Sequence, residues 1–151
     1  MFYFNYGNHD GLGLAQTKQA IRLGSAFNNE WDINSANIGD RSIAIGFGDS
    51  GLSTEAPVAS GSHSIALGTG TVASGNYSTA FGSGSTASGN QSTVFGISNE
   101  AFSLAETALG MHGTDYTPLL INGWASTDRL VNIGNGDGRP ILGPQDFSDA
   151  F

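Results

Sequence analysis

One short run of residues recurs at a fixed interval, and that period limits the possible architectures more tightly than any local propensity. Aligned on glycine, Gly61-Ser-His-Ser64-Ile-Ala66-Leu67-Gly68 is followed by Gly75-Asn-Tyr-Ser78-Thr-Ala80-Phe81-Gly82 and Gly89-Asn-Gln-Ser92-Thr-Val94-Phe95-Gly96, at a spacing of 14 residues. Ser103-Leu-Ala-Glu106-Thr-Ala108-Leu109-Gly110 keeps the register, with Ser103 replacing the first glycine and Glu106 the serine. Upstream, Gly39-Asp-Arg-Ser42-Ile-Ala44-Ile45-Gly46 lies 22 residues before the next unit, as an eight-residue insertion at about Ser50 to Pro57 would explain. Ala20-Ile21-Arg22-Leu23-Gly24, another 22 residues earlier, is a degenerate candidate copy with Arg22 where the others have Ala or Val. Between the units a second stretch recurs: Val58-Ala59-Ser60, Val72-Ala73-Ser74, Thr86-Ala87-Ser88 and Glu100-Ala101-Phe102.

In Ser-x-Ala-x-Gly the residues alternate with period two, so Ser78 and Ala80 face one way and Thr79 and Phe81 the other. Fourteen residues accommodate two strands of about five residues and two tight turns. The spacing therefore predicts an all-β parallel β-roll, one repeat per coil. Gly39, Gly46, Gly61, Gly68, Gly75, Gly82, Gly89, Gly96 and Gly110 are read as coil-turn glycines supplying positive φ angles. So small a coil has room inside only for Ala, Ser or Val. Ala44, Ala66, Ala80, Val94 and Ala108, with Ala59, Ala73, Ala87 and Ala101, are assigned to the roll interior. Ile45, Leu67, Phe81, Phe95 and Leu109 then form an external apolar ladder, and exposed stripes of this kind mark interfaces. Burying five such side chains is worth roughly 1.5–3 kcal/mol each, about 10 kcal/mol per chain before association costs, so self-association is expected. At ~4.8 Å per coil, the five intervals from Gly24 to Gly110 predict a rod about 24 Å long. The chain divides into an N-terminal cap at 1–38 with one degenerate coil, the roll at 39–110, and a closing or connector segment at 111–151.

Composition narrows the function classes. Of 151 residues only 12% are charged, with 13 acidic against 5 basic and no basic cluster, so nucleic-acid binding is not expected. The absence of cysteine excludes a disulfide framework and a thiolate metal site, and leaves the redox compartment open. The start, Met1-Phe2-Tyr3-Phe4-Asn5-Tyr6-Gly7, lacks the basic opening and long apolar run of a secretory signal, so the expectation is either an excised piece or another export route. Membrane insertion by this segment is not expected.

The repeats resemble the head repeats of trimeric autotransporter adhesins of the YadA type, whose motif is close to Asn-Ser-x-Ala-x-Gly on a 14-residue coil. The resemblance covers Gly39 to Gly110. It implies a left-handed parallel β-roll, three rolls side by side as a homotrimer with apolar residues at the shared axis, and attachment to a host or surface receptor from an extracellular, cell-surface or virion-fibre position. The number three comes from the family. Similar repeats occur in phage tail fibres and fibre-like proteins, where a tryptophan and then Asp-Arg-Leu-x-x-Ile-Gly-Asn-Gly often follow the last coil. Trp124 and Asp128 to Gly136 resemble that closing element. The chain departs from the pattern in its two 22-residue spacings and at Arg22, Ser103 and Glu106.

The search for chemistry yields structural readings. No Gly-x-Ser-x-Gly elbow supports a Ser, His, Asp arrangement, so no enzyme activity, cofactor or metal is expected. His63 shares its repeat slot with Tyr77 and Gln91, a variable surface row, and His9 and His112 lack partners at metal-ligand spacing. Gly134-Asn135-Gly136-Asp137-Gly138 lacks both the Gly-Lys-Ser/Thr of a phosphate loop and the glutamate of an EF-hand, and reads as a turn. The sequons Asn76-Tyr77-Ser78 and Asn90-Gln91-Ser92 arise from the period itself, with their serines inward. Phe81 and Phe95 could serve as a sugar-stacking platform, but their register with Ile45, Leu67 and Leu109 favours a trimer axis. The regular Thr-x-Thr array of an ice-binding face is absent. Recognition is expected in the 50–57 insertion, residues 1–38 or Thr114 to Trp124, since loops on rigid scaffolds usually carry it. The alternatives to an attachment module are a phage receptor-binding segment, a filament subunit docking through open strand edges, and a depolymerase with a site between chains.

Overall fold

The computed structural model describes residues 9–15, 18–26, 31, 35–48 and 55–136. They form strands and turns, with no helix among them. The strands are β1 (His9–Ala15), β2 (Ala20–Ala26), β3 (Ile43–Phe47), β4 (Val58–Ala59), β5 (Ile65–Thr69), β6 (Val72–Ala73), β7 (Thr79–Ser83), β8 (Thr86–Ala87), β9 (Thr93–Ile97), β10 (Glu100–Ala101), β11 (Thr107–Met111) and β12 (Val131–Asn135). They build a parallel β-roll from two sheets. The long sheet runs β1-β2-β3-β5-β7-β9-β11-β12 and the short one β4-β6-β8-β10. From β2 to β12 every pairing in the long sheet is parallel.

The alternation explains the layering. Outward Thr79 and Phe81 flank inward Ala80, which pairs between Ala66 and Val94 in the next coils. Ala44, Ala66, Ala80, Val94 and Ala108 from the long sheet, with Ala59, Ala73, Ala87 and Ala101 from the short one, are buried together as one core. Ser42, Ser64, Ser78 and Ser92 are also fully buried. Ser42 and Ser64 donate to the carbonyls of Gly39 and Gly61 at 2.7 Å, so these two inward hydroxyls are satisfied within their own turns.

Two sequence readings of the coil need correction. The second strand is two residues long, because the chain turns again immediately after Ala59, Ala73, Ala87 and Ala101. The glycines also do two different jobs. Gly46, Gly68, Gly82, Gly96 and Gly110 do have positive φ. Gly39, Gly61, Gly75 and Gly89 do not. They are required because a Cβ there would stand 2.0–2.1 Å from a carbonyl oxygen of the next coil. The left-handed turn position beside them is filled instead by Arg41, His63, Tyr77, Gln91 and Ala105, with φ between 55° and 60°. Stacking supports this row. The rings of His63 and Tyr77 lie 4.8 Å apart and nearly parallel, so His63 belongs to a ladder rather than to an indifferent surface row. Next to it, Asn76 Oδ1 accepts from the Ser62 amide at 3.0 Å, and Asn90 Oδ1 from the Asn76 amide at 2.9 Å. That is the structural use of the asparagines in the two sequons.

The sheet continues beyond the 39–110 repeat block in both directions. β2 pairs in register with β3, so the degenerate copy is a true coil and Arg22 occupies the interior row. Its guanidinium donates to Ser42 Oγ at 2.9 Å, to the Ala59 carbonyl at 3.1 Å and to the Ile21 carbonyl at 2.8 Å. Arg22 thus fills the N-terminal end of the core with donors directed at backbone carbonyls and the Ser42 hydroxyl. Burial lowers its pKa to about 10, which leaves it charged at neutral pH. Beyond β2, β1 adds antiparallel along its whole length, covering the outer edge of β2.

At the other end β12 pairs with β11, Gly134 opposite Gly110. Gly134 and Asn135 are therefore strand residues, not the turn expected there, while Asp137 and Gly138 lie outside the described residues. Asn132, partnered with Ala108, gives the interior row a second polar terminus. Glu106 is fully buried where the other coils have serine. Its Oε2 accepts from the amides of Phe102 at 2.8 Å and Ser103 at 3.0 Å, and its Oε1 lies 3.4 Å from Arg129 Nε. Arg129 also covers the Tyr116 ring at 4.1 Å and donates to Thr114. The segment between β11 and β12 is thereby folded across the end of the roll. Nearby, Glu100 on the short sheet has its carboxyl pKa raised above the ordinary value, by burial and then by the charge of Asp115.

Candidate functional site

The long sheet turns one whole face outward, and the parallel register sorts its side chains into rows. The central row is Leu23, Ile45, Leu67, Phe81, Phe95, Leu109 and Ile133. The five members expected from the repeat thus gain one more at each end. Alongside runs a β-branched row of Ile21, Ile43, Ile65, Thr79, Thr93, Thr107 and Val131, placed by the same pairings. A third row, which includes Phe47, Thr69, Ser83, Ile97 and Met111, lies beyond the glycines. Sequence reading found the first row from its bulk. It missed the second because Thr79, Thr93 and Thr107 look like ordinary surface threonines until their register with the isoleucines is known.

The central row packs against itself. Phe81 and Phe95 stack with centroids 5.0 Å apart and planes 13° from parallel, matching the coil spacing. The stacking leaves Phe95 44% exposed, while Phe81, Leu67 and Leu109 are half-buried. The gain from covering them is accordingly below that for fully exposed residues, about 1 kcal/mol each. The additional rows offset that reduction, since Ile21, Leu23, Ile45, Phe47, Ile97, Met111 and Val131 are all exposed as well. The result is a flat apolar face with no charged side chain in any of the three rows from β3 to β12. Such a face can exclude water against a matching surface.

The remaining candidate positions separate clearly. Among the described residues no group of three or more His, Cys, Asp or Glu side chains is placed to hold a metal. No helix there is long and apolar enough to cross a membrane. Of the expected recognition regions, residues 1–8, 16–17, 27–30, 32–34 and 50–54 lie outside the described residues. Residues 114–124 form an irregular segment carrying Leu119, Leu120, Ile121 and Trp124 exposed.

Comparison with known proteins bears on the repeats directly. The family model for the YadA head domain repeat matches two copies, at residues 59–85 and 73–99. No curated protein matches the chain. The matched span lies within the stretch from β4 to β11, in which the 14-residue coils are unbroken. The coils of the roll within residues 59–99 are thus of the YadA head repeat type.

Proposed function

We propose that the chain is an attachment module of an extracellular fibre or adhesin, a homotrimer in which three rolls meet through the outward face of the long sheet and display their loops to a receptor. The observation that carries this reading is the in-register apolar face from Leu23 to Ile133, too large and too uniformly uncharged to be an ordinary solvated surface. The family resemblance supplies the number three. The roll serves as a spacer and needs no cofactor, and its sparsely charged exterior and row of buried serines suit a rigid extracellular building block. Polymerisation by simple stacking of coils is less well supported, because β1 already covers the N-terminal edge and its strand direction breaks the parallel pattern.

A single charge placed in the centre of the face tests the reading. Phe95→Asp is expected to give a monomer whose β-sheet circular dichroism matches that of the parent chain, because the side chain points out of the roll. An unchanged assembly after this substitution would mean that the face is not where the chains meet.

A further inference from the structure

Two asparagines of this chain stand directly before a glycine, Asn122 and Asn135. In that dipeptide the side-chain amide is open to attack by the following backbone nitrogen, because glycine has no Cβ to hinder the approach and reaches conformations closed to other residues. The fold treats the two sites differently. Asn135 ends β12, where it pairs with Met111, and Gly136 after it is buried. A strand holds the backbone extended, and ring closure there would have to break the pairing.

Asn122 is exposed and lies at a bend between β11 and β12. The chain is tied on both sides of it. Asp128 Oδ1 accepts from the Leu119 amide at 2.7 Å and Oδ2 from the Leu120 amide at 3.1 Å, and the Asp128 amide donates to the Ala125 carbonyl at 3.1 Å. Between these anchors, neither the Asn122 side chain nor the Gly123 amide makes a hydrogen bond. The attacking nitrogen and the group it attacks are thus both unengaged, and no bond has to break before they meet. The coil asparagines show the contrast, since Asn76 and Asn90 each accept through Oδ1 from a backbone amide one coil away.

We propose that Asn122 is a self-modification site, at which the folded chain converts an amide into a carboxylate. The Gly123 amide nitrogen loses its proton to hydroxide and attacks Asn122 Cγ. The new N–Cγ bond closes a succinimide ring, and the side-chain nitrogen takes a proton from water and leaves as ammonia. Water then opens the ring. Cleavage of the N–Cγ bond gives aspartate, whereas cleavage between the Gly123 nitrogen and the Asn122 backbone carbonyl carbon gives isoaspartate, with the main chain running through the side chain. Nothing is oxidised or reduced. The consequence falls on a distinctive surface, because Thr117 to Thr127 carry no charge and Leu119, Leu120, Ile121 and Trp124 are exposed. Conversion sets a negative charge among these apolar groups, and the isoaspartate form lengthens the backbone between the anchors, so an aged chain presents a different loop from a new one.

Peptide mapping by mass spectrometry of the full chain, aged in mildly alkaline heavy-oxygen water, tests this. In the urea-unfolded chain the two sites are expected to take up heavy oxygen at similar rates. In the folded chain Asn122 is expected to keep that rate while Asn135 falls several-fold below it. Gly123→Ala is expected to slow conversion at Asn122 several-fold with circular dichroism unchanged. Gly123 does not have positive φ, and the added Cβ would meet only the half-exposed Leu120 side chain, 3.3 Å away at its closest. A folded-state rate at Asn122 no higher than that at Asn135, or one that Gly123→Ala leaves unchanged, overturns the inference.

Discussion

Gly82→Ala is expected to unfold the middle of the roll, at a cost of about 4 kcal/mol or more. Two independent effects coincide there. Gly82 has φ +124, a region closed to residues with a Cβ, and a Cβ would stand 1.8 Å from the Gly96 carbonyl oxygen of the next coil. Neither can relax alone, since moving the strand away breaks its pairing with β9 and the ring stacking of Phe81 on Phe95. Gly84 is the control. It also has positive φ, at +63, but its nearest neighbour would be a serine side-chain oxygen at 3.5 Å. Gly84→Ala is expected to cost only about 1–2 kcal/mol, the ordinary left-handed penalty. Urea unfolding of the two variants measures the difference, and equal midpoints would show that coil-to-coil contact is not what demands glycine.

The second large effect is expected at the C-terminal end. Arg129→Met should destabilise the chain by about 3–5 kcal/mol, because it leaves the fully buried Glu106 carboxylate without its cation. It also removes the guanidinium from the Tyr116 ring and from Thr114, the contacts that hold the closing segment across the roll. Restoring the repeat's own serine should rescue part of the loss. The double variant Glu106→Ser with Arg129→Met is expected to be more stable than Arg129→Met alone, by about 1–3 kcal/mol of coupling. Additive costs in a double-mutant cycle would contradict the account of Glu106 and Arg129 as one unit.

These two sites show what was legible in the sequence and what was not. The period exposed the coil, the inward alanines and the outward row from Ile45 to Leu109, because a repeated environment imposes a repeated residue. The ends of the roll obey a different rule. A terminal coil has carbonyls and amides with no next coil to meet, so the interior there calls for polar groups. Arg22 and Glu106 therefore read as departures from the motif when, with Asn132, they are its terminations. Asn132-Ile133-Gly134 resembles a coil strand, but Gly134 lies 24 residues after Gly110, and the unbroken period gave no reason to join it to the sheet. β1 left no repeat signal because it runs antiparallel to the others. The reason for each glycine was also hidden, since a sequence does not distinguish a left-handed glycine from one crowded by a neighbouring carbonyl. The left-handed Arg41, His63, Tyr77 and Gln91 are tolerated through the stacking and hydrogen-bond ladders beside them, which only the register makes visible.

The outward face is legible in outline and depends on the same register for its width. Its role as a subunit interface is the central claim, and the molar mass of the purified full chain in solution, by light scattering on a size-exclusion column, tests it most directly. The account predicts a stable species of three times 15.5 kDa that persists on dilution. A well-folded monomer of 15.5 kDa would contradict it, leaving the apolar rows from Leu23 to Ile133 exposed in solution with no partner to cover them.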